Sequence, residues 1–70
     1  MRLGNRVREQ RQQRGLTQEA LASSVGITRQ SVIAIEKDKF APSVRLALLI
    51  ARALGVGVEE IFWLDDNSSE

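Results

Sequence analysis

One pattern of apolar and polar residues occurs twice in this chain, eleven residues apart. The two copies are Leu16-Thr17-x-x-x-Leu21 and Ile27-Thr28-x-x-x-Val32. In each copy the threonine can accept a hydrogen bond from a free amide of a first helical turn. The apolar residue before the threonine can also pack on the apolar residue that lies four positions after the threonine. Both copies therefore predict the start of a helix.

The short distance between the two helix starts leaves room for a two-turn helix followed by a very tight turn. Gly26 lies where the first of these helices must end, and glycine adopts a positive φ at little cost. The pattern predicts a helix-turn-helix, with helices at about Gln18–Val25 and Arg29–Glu36. This arrangement leaves the second of the two helices exposed.

Three further helices follow from apolar spacing and from capping residues. Gly15 and Gly55 mark two helix ends, and Ser43 is a suitable N-cap. The predicted ranges are about 5–14, 44–54 and 58–64. We therefore predict an all-α domain over residues 1–64, followed by an acidic, frayed tail at residues 65–70.

Helical periodicity places two opposite charges on inward faces. Arg11 follows Val7 by four residues, and Glu36 follows Val32 by four, so each charge lies in line with a core position. Neither charge tolerates burial alone. We predict a partly buried Arg11–Glu36 ion pair that joins the first helix to the third.

The last two helices carry more apolar surface than one small core can cover. The fourth helix is apolar nearly all round, and four large apolar residues follow one another at positions 61–64. Seventy residues are also close to the size at which a single core is only marginally sufficient. We predict a symmetric homodimer, the alternative being a tail folded back over its own domain. The predicted interface residues are Leu48, Leu49, Ile61, Trp63 and Leu64.

Composition and charge restrict the function. The chain has no cysteine, histidine or tyrosine and no glycine-rich phosphate loop, so we expect no enzyme, no metal site and no cofactor. The longest apolar run, residues 46–51, is too short to cross a membrane, and we expect a cytoplasmic protein. The net charge is +1, but residues 1–52 carry +6 and residues 53–70 carry −5. A basic body of this kind attracts phosphates and favours a nucleic-acid partner.

Nearly the whole chain, residues 5–64, resembles the phage repressor and Cro-like helix-turn-helix family, also called the XRE family. The residues that carry the resemblance are Arg11, Gly15 to Glu19, Leu21-Ala22, Gly26 to Gln30, Ile35-Glu36, Pro42-Ser43, Ile50-Ala51, Leu54 to Val56 and Glu59 to Phe62. The resemblance implies a compact five-helix bundle that binds operator DNA as a dimer and regulates transcription. It also puts the internal arginine–glutamate pair of the family on Arg11 and Glu36. Asp38 departs from the pattern, because the family generally has glycine there.

The resemblance further implies which side chains meet double-stranded DNA. Arg29 and Gln30 fall on base edges, where arginine suits guanine and glutamine suits adenine. Gln18 and Ser31 fall on a phosphate or a base. Ile33 and Ala34 are outward positions that can contact thymine methyl groups, the alternative being that Ile33 only rests on the loop at Phe40. The remaining contacts are expected on the DNA backbone, at Thr17, Thr28, Lys37 and Lys39.

The leading interpretation is a sequence-specific transcriptional regulator, most often a repressor, that binds an inverted repeat with its third helix in the major groove. A controller protein of a restriction-modification system is a close variant of that interpretation. The alternative is an antitoxin-type module, in which the apolar residues 61–64 mask a partner protein and DNA binding serves to autoregulate the operon.

Overall fold

The computed structural model describes residues 2–65, which form five α-helices and a two-stranded antiparallel sheet. The elements are β1 Arg2–Asn5, α1 Val7–Gln13, α2 Gln18–Val25, α3 Arg29–Glu36, α4 Val44–Leu54, α5 Val58–Ile61 and β2 Phe62–Asp65. The predicted bounds of α2, α3 and α4 are confirmed at both ends. Of the predicted acidic tail, residues 66–70 lie outside the described residues, and Asp65 is the last residue of β2. Within residues 2–65 no helix has the length and apolar composition that a membrane crossing requires.

The all-α prediction needs one correction, because β1 and β2 pair to form a small sheet. The paired residues are Arg2 with Asp65, Leu3 with Leu64, Gly4 with Trp63 and Asn5 with Phe62. Residues expected at the start of the first helix and at the end of the fifth therefore lie in strands. Strands of four residues give little alternation, and the partner of each strand lies at the far end of the described chain, so no local pattern reveals the pairing.

One cross-strand pair in this sheet explains a glycine. The indole of Trp63 lies against Gly4, so closely that a Cβ on residue 4 would lie 2.6 Å from the ring. The guanidinium of Arg6 stacks over the same indole, with its carbon 4.9 Å from the ring centroid. Because Gly4 has no side chain, the indole of Trp63 has room to pack over β1.

The hydrophobic core lies between the helices and one side of the sheet. Its buried residues are Val7, Leu21, Ala22, Val32, Ile35, Ile50, Ala51, Leu54, Ile61 and Phe62. Ile61 is fully buried here, which corrects its predicted place in a dimer interface. The reason is that α5 packs on α4 and turns Ile61 inward.

The predicted threonine caps of α2 and α3 form as well. The Ala20 amide lies 2.9 Å from Thr17 Oγ1, and the Ser31 amide lies 3.1 Å from Thr28 Oγ1.

The structure contains the Arg11–Glu36 pair that periodicity predicts. Arg11 Nε donates to Glu36 Oε2 at 2.7 Å, and Nη2 donates to Oε1 at 3.4 Å. The two side chains are 10% and 4% exposed, respectively. Arg11 Nη1 also donates to the carbonyl of Leu16 at 2.8 Å. A single guanidinium therefore links α1, the turn before α2, and the end of α3.

The end of α3 is formed by Asp38, which has a φ of 62°. Its amide donates to the carbonyl of Ile35 at 3.1 Å, and the amide of Lys39 donates to the carbonyl of Ala34 at 2.8 Å. These two bonds make a Schellman motif, which usually has glycine at the left-handed position. Within residues 2–65, Asp38 is the one residue other than glycine with a positive φ.

The side chain of Asn5 supports this unusual helix end. Its Nδ2 donates to Asp38 Oδ1 at 2.8 Å and to the carbonyl of Ile35 at 3.0 Å. Its Oδ1 accepts the amide of Val7 at 3.1 Å. Asn5 thereby joins β1 and the start of α1 to the end of α3.

Replacing Arg11 by alanine leaves the Glu36 carboxylate buried without its partner. We expect the free energy of unfolding to fall by about 3 kcal/mol, as it does when one member of a buried pair is removed. Urea unfolding followed by circular dichroism measures this change. Arg14→Ala is the matched control, because Arg14 is exposed and bonds Gln10 on the surface; it should cost no more than about 0.5 kcal/mol. Equal unfolding midpoints for the two variants would show that the pair does not hold the helices together.

The left-handed backbone of Asp38 is tested by two substitutions that both remove its carboxylate. Asp38→Ala keeps a Cβ at a positive φ, whereas Asp38→Gly does not. We therefore expect the alanine variant to be less stable than the glycine variant by about 1 kcal/mol. Thermal unfolding of the two variants gives the difference, and equal stabilities would mean that residue 38 does not keep its left-handed conformation in solution.

Candidate nucleic-acid interface

The turn between α2 and α3 has the length of a helix-turn-helix connection. Three residues, 26–28, separate the end of α2 from the start of α3. Gly26 has a φ of 79°, and its amide donates to the carbonyl of Ala22 at 2.9 Å. Ile27 packs against the core from within the turn. The local reason for the fold is thus a left-handed glycine followed directly by an apolar residue and a threonine cap.

The first turn of α3 presents polar side chains to solvent. Arg29 and Gln30 are exposed, whereas Val32 and Ile35 fix the opposite face of the helix in the core. The hydroxyls of Thr28 and Ser31 lie 3.1 Å apart at the N-terminal end of the helix. Four of the predicted contacts, Thr28, Arg29, Gln30 and Ser31, therefore lie together at one end of one helix.

A second group of predicted contacts lines a depression of about 460 Å³ between α1, α2 and α3. The lining residues are Arg8, Arg11, Gln12, Thr17, Gln18, Ile33, Glu36 and Lys37. Arg11 and Glu36 neutralise each other, and among residues 2–65 no acidic side chain forms a salt bridge with the two other cations of the depression, Arg8 and Lys37. A basic depression lined by amide and hydroxyl groups suits an anionic group such as a phosphate.

Two lining residues of this depression, Arg8 and Gln12, are not among the contacts predicted from the sequence. Both are exposed on α1, four residues apart and therefore on one face of the helix. The sequence indicates their place through their position beside Arg11, which helical periodicity predicts to face inward. Side chains that flank an inward-facing residue lie at the edge of the contact between its helix and the neighbouring helices.

Other predicted contacts are distributed around α3. Ile33 lines the depression, whereas Phe40 lines a smaller one with Leu3 and Pro42, on the side of the sheet. Lys39 is exposed beyond the end of α3, and Ala34 is half-buried. The structure thus brings most of the predicted contacts to α3 and the rim of the depression, with Lys39 just past the helix.

The residues predicted at a dimer interface differ in exposure. Leu48 and Leu64 are 52% and 66% exposed, and Trp63 is 37% exposed. Leu49 is half-buried and lines a groove between α2 and α4. Ile61, as described above, is in the core.

Among residues 2–65 no cluster of acidic side chains has the arrangement of a metal site.

Comparisons with known proteins agree with this geometry. The helix-turn-helix family model HTH_3 matches residues 7–61. A protein described as an uncharacterized HTH-type transcriptional regulator, from Methanothermobacter thermautotrophicus, is 52% identical over 65 residues, which cover 91% of this chain and 94% of that protein. The immunity repressor of Bacillus phage phi105 is 36% identical over 61 residues, which cover 87% of this chain and 42% of the repressor. The crystal structure of the restriction-modification controller protein C.AhdI from Aeromonas hydrophila is similar, with a TM-score of 0.73 and 35% identity over 77% of this chain and 78% of the controller.

Proposed function

As the chain belongs to the helix-turn-helix family of DNA-binding transcriptional regulators, we propose that it is a repressor that binds an inverted-repeat operator as a homodimer. The observation that carries the proposal is the exposed pair Arg29 and Gln30 in the first turn of α3, directly after the Thr28 cap. In this proposal the N-terminal part of α3 enters the major groove and contacts base edges there. The similarity to a phage immunity repressor supports repression as the regulatory sense.

The hydrogen-bonding groups of Arg29 and Gln30 support a role in reading bases. Arg29 can donate two parallel hydrogen bonds to guanine O6 and N7, and Gln30 can pair in the same way with adenine N6 and N7. The position of Arg29 also favours an anionic partner, because the positive end of the helix dipole repels a cation that has no phosphate nearby. Ile33 and Ala34, farther along α3, are proposed to contact thymine methyl groups.

The remaining contacts are proposed on the DNA backbone. Thr17 and Thr28 each accept a backbone amide through Oγ1. The hydroxyl hydrogen of Thr17 is left able to bond a phosphate, and that of Thr28 can bond a phosphate or Ser31 Oγ. Lysine lacks a planar fork, so Lys37 and Lys39 supply affinity that does not depend on sequence. We add Arg8 to this group because it shares the depression with Gln18 and Lys37.

The exposed leucines support the homodimer. Leu48 on α4 and Leu64 on β2 each expose more than half of their surface, which is costly to leave in water on so small a domain. A two-fold dimer would place two copies of α3 about 34 Å apart, on successive major grooves. In the antitoxin-type alternative the surface that masks a partner is reduced to Trp63 and Leu64, because Ile61 and Phe62 are in the core.

Selection of bound DNA from a random pool tests the proposed recognition. We expect an inverted repeat for the parent protein. Arg29→Ala and Gln30→Ala should each relax the preference at particular base pairs by about 1–3 kcal/mol, because each removes a bidentate contact. Lys39→Ala is the matched control, expected to weaken all sequences alike and to lower the dependence of log affinity on log salt by about 1. Unchanged affinity and preference in Arg29→Ala would remove Arg29 from the interface.

Sedimentation equilibrium tests the proposed dimer. Leu64→Arg places a charge on the exposed apolar surface of β2, and we expect dimerisation to weaken at least about tenfold, equivalent to about 1.4 kcal/mol, together with operator affinity. Ser23→Arg adds the same charge at an exposed position on α2 and should leave the dimer intact. The proposed assembly fails if the parent sediments as a monomer well above the concentration at which it binds operator, or if both variants associate equally.

A further inference from the structure

The buried ion pair has a third member, Gln18, which also lines the candidate DNA-binding depression. We propose that Glu36 is a positioning residue for DNA recognition, whose carboxylate fixes the Gln18 carboxamide in the orientation that reads adenine. The inference rests on the proposed function, because it assigns to Gln18 a base contact within the same interface.

The hydrogen bonds determine which way the carboxamide points. Gln18 Nε2 donates to Glu36 Oε1 at 3.2 Å, and Arg11 occupies both oxygens of the same carboxylate. A carboxylate only accepts hydrogen bonds, so the nitrogen of the carboxamide must face it and the carbonyl oxygen must face away. The chemistry of Glu36 thus selects one of the two orientations of Gln18.

The anchor that selects this orientation cannot turn freely. The Glu36 side chain is 4% exposed, and the Arg11 side chain that holds it is 10% exposed. Arg11 is fixed in turn by the carbonyl of Leu16. A continuous series of hydrogen bonds therefore runs from the turn before α2, through the buried pair, to a side chain at the first position of α2.

Fixing the carboxamide changes what it can recognise. A free glutamine has two N–H donors and one acceptor oxygen, and the bond to Glu36 uses one donor. One donor and one acceptor remain, which match N7 and N6 of adenine. Guanine presents two acceptors, O6 and N7, of which the remaining donor can satisfy one. Gln18 therefore favours adenine over guanine and loses little side-chain freedom on binding.

Selection from a random pool, with four proteins compared below their unfolding temperatures, tests the proposal. The proteins are the parent, Gln18→Ala, the paired substitution Arg11→Met with Glu36→Leu, and all three changes together. The paired substitution removes the acceptor without leaving a buried charge, a replacement that folded proteins commonly tolerate. We expect Gln18→Ala to lower the adenine preference at one base pair about tenfold, the paired substitution to lower it there by a similar factor, and the triple variant to show no additional loss.

A purely structural role for Glu36 gives a different result. The paired substitution would then lower affinity for all sequences alike and leave the adenine preference at the Gln18 base pair as in the parent, which would overturn the proposal. Gln18→Ala with unchanged preferences at every base pair would also overturn it. A parent protein that selects no sequence at all would instead refute the proposed function, and the inference with it.

The side-chain amide signals of the free parent protein supply a test that needs neither DNA nor a substitution. In nuclear magnetic resonance spectra we expect the Gln18 carboxamide hydrogens to exchange with water more slowly than those of exposed Gln30, because one of them is bonded to Glu36. Equal exchange of the two carboxamides would show that Gln18 is not held, and would overturn the proposal even if the parent binds operator DNA.

Discussion

One buried contact between opposite charges sets how the helices of this fold meet. Removing a guanidinium and a carboxylate from water is expensive, and the two charges compensate for this only because their geometry is good and the remaining donors are satisfied. Arg11 satisfies this condition with bonds to Glu36 and to the Leu16 carbonyl. A contact that is tolerated in only one geometry also fixes the relative positions of the three helices that meet at it.

The sheet adds a second constraint at the C-terminal end of α3. The side chain of Asn5, the last residue of β1, donates hydrogen bonds to the last turn of α3 and to Asp38 just beyond it. The helix α3 is therefore held near its C-terminal end by two polar contacts, the buried pair and Asn5, and along its length by Val32 and Ile35. Its first turn, with Arg29 and Gln30, is left free to meet a ligand.

Much of this architecture could be predicted from local signals. The starts of α2, α3 and α4 follow from Thr17, Thr28 and Ser43, since a threonine or serine cap acts within a single turn. The ends of α2 and α4 follow from the left-handed glycines at 26 and 55. The inward charges follow from helical periodicity. The pairing of β1 with β2 could not be predicted, because it joins distant segments of four residues. The burial of Ile61 could not be predicted either, because a run of four apolar residues does not indicate which of them faces the core. The link from Gln18 to Glu36 requires the positions of two helices, which no single segment encodes.

The pairing of β1 with β2 also has a consequence for the order of folding. Almost the whole described chain lies between the two strands, so closing this contact costs more chain entropy than any contact within the helix-turn-helix. The helices lower that cost when they form first and bring the strands together. The surface of β2 that carries Leu64 is then completed only in a fully folded chain. A partly unfolded molecule that keeps α2 and α3 but lacks this pairing has no complete β2 surface, so in the proposed homodimer only a fully folded copy offers a second copy the surface that carries Leu64.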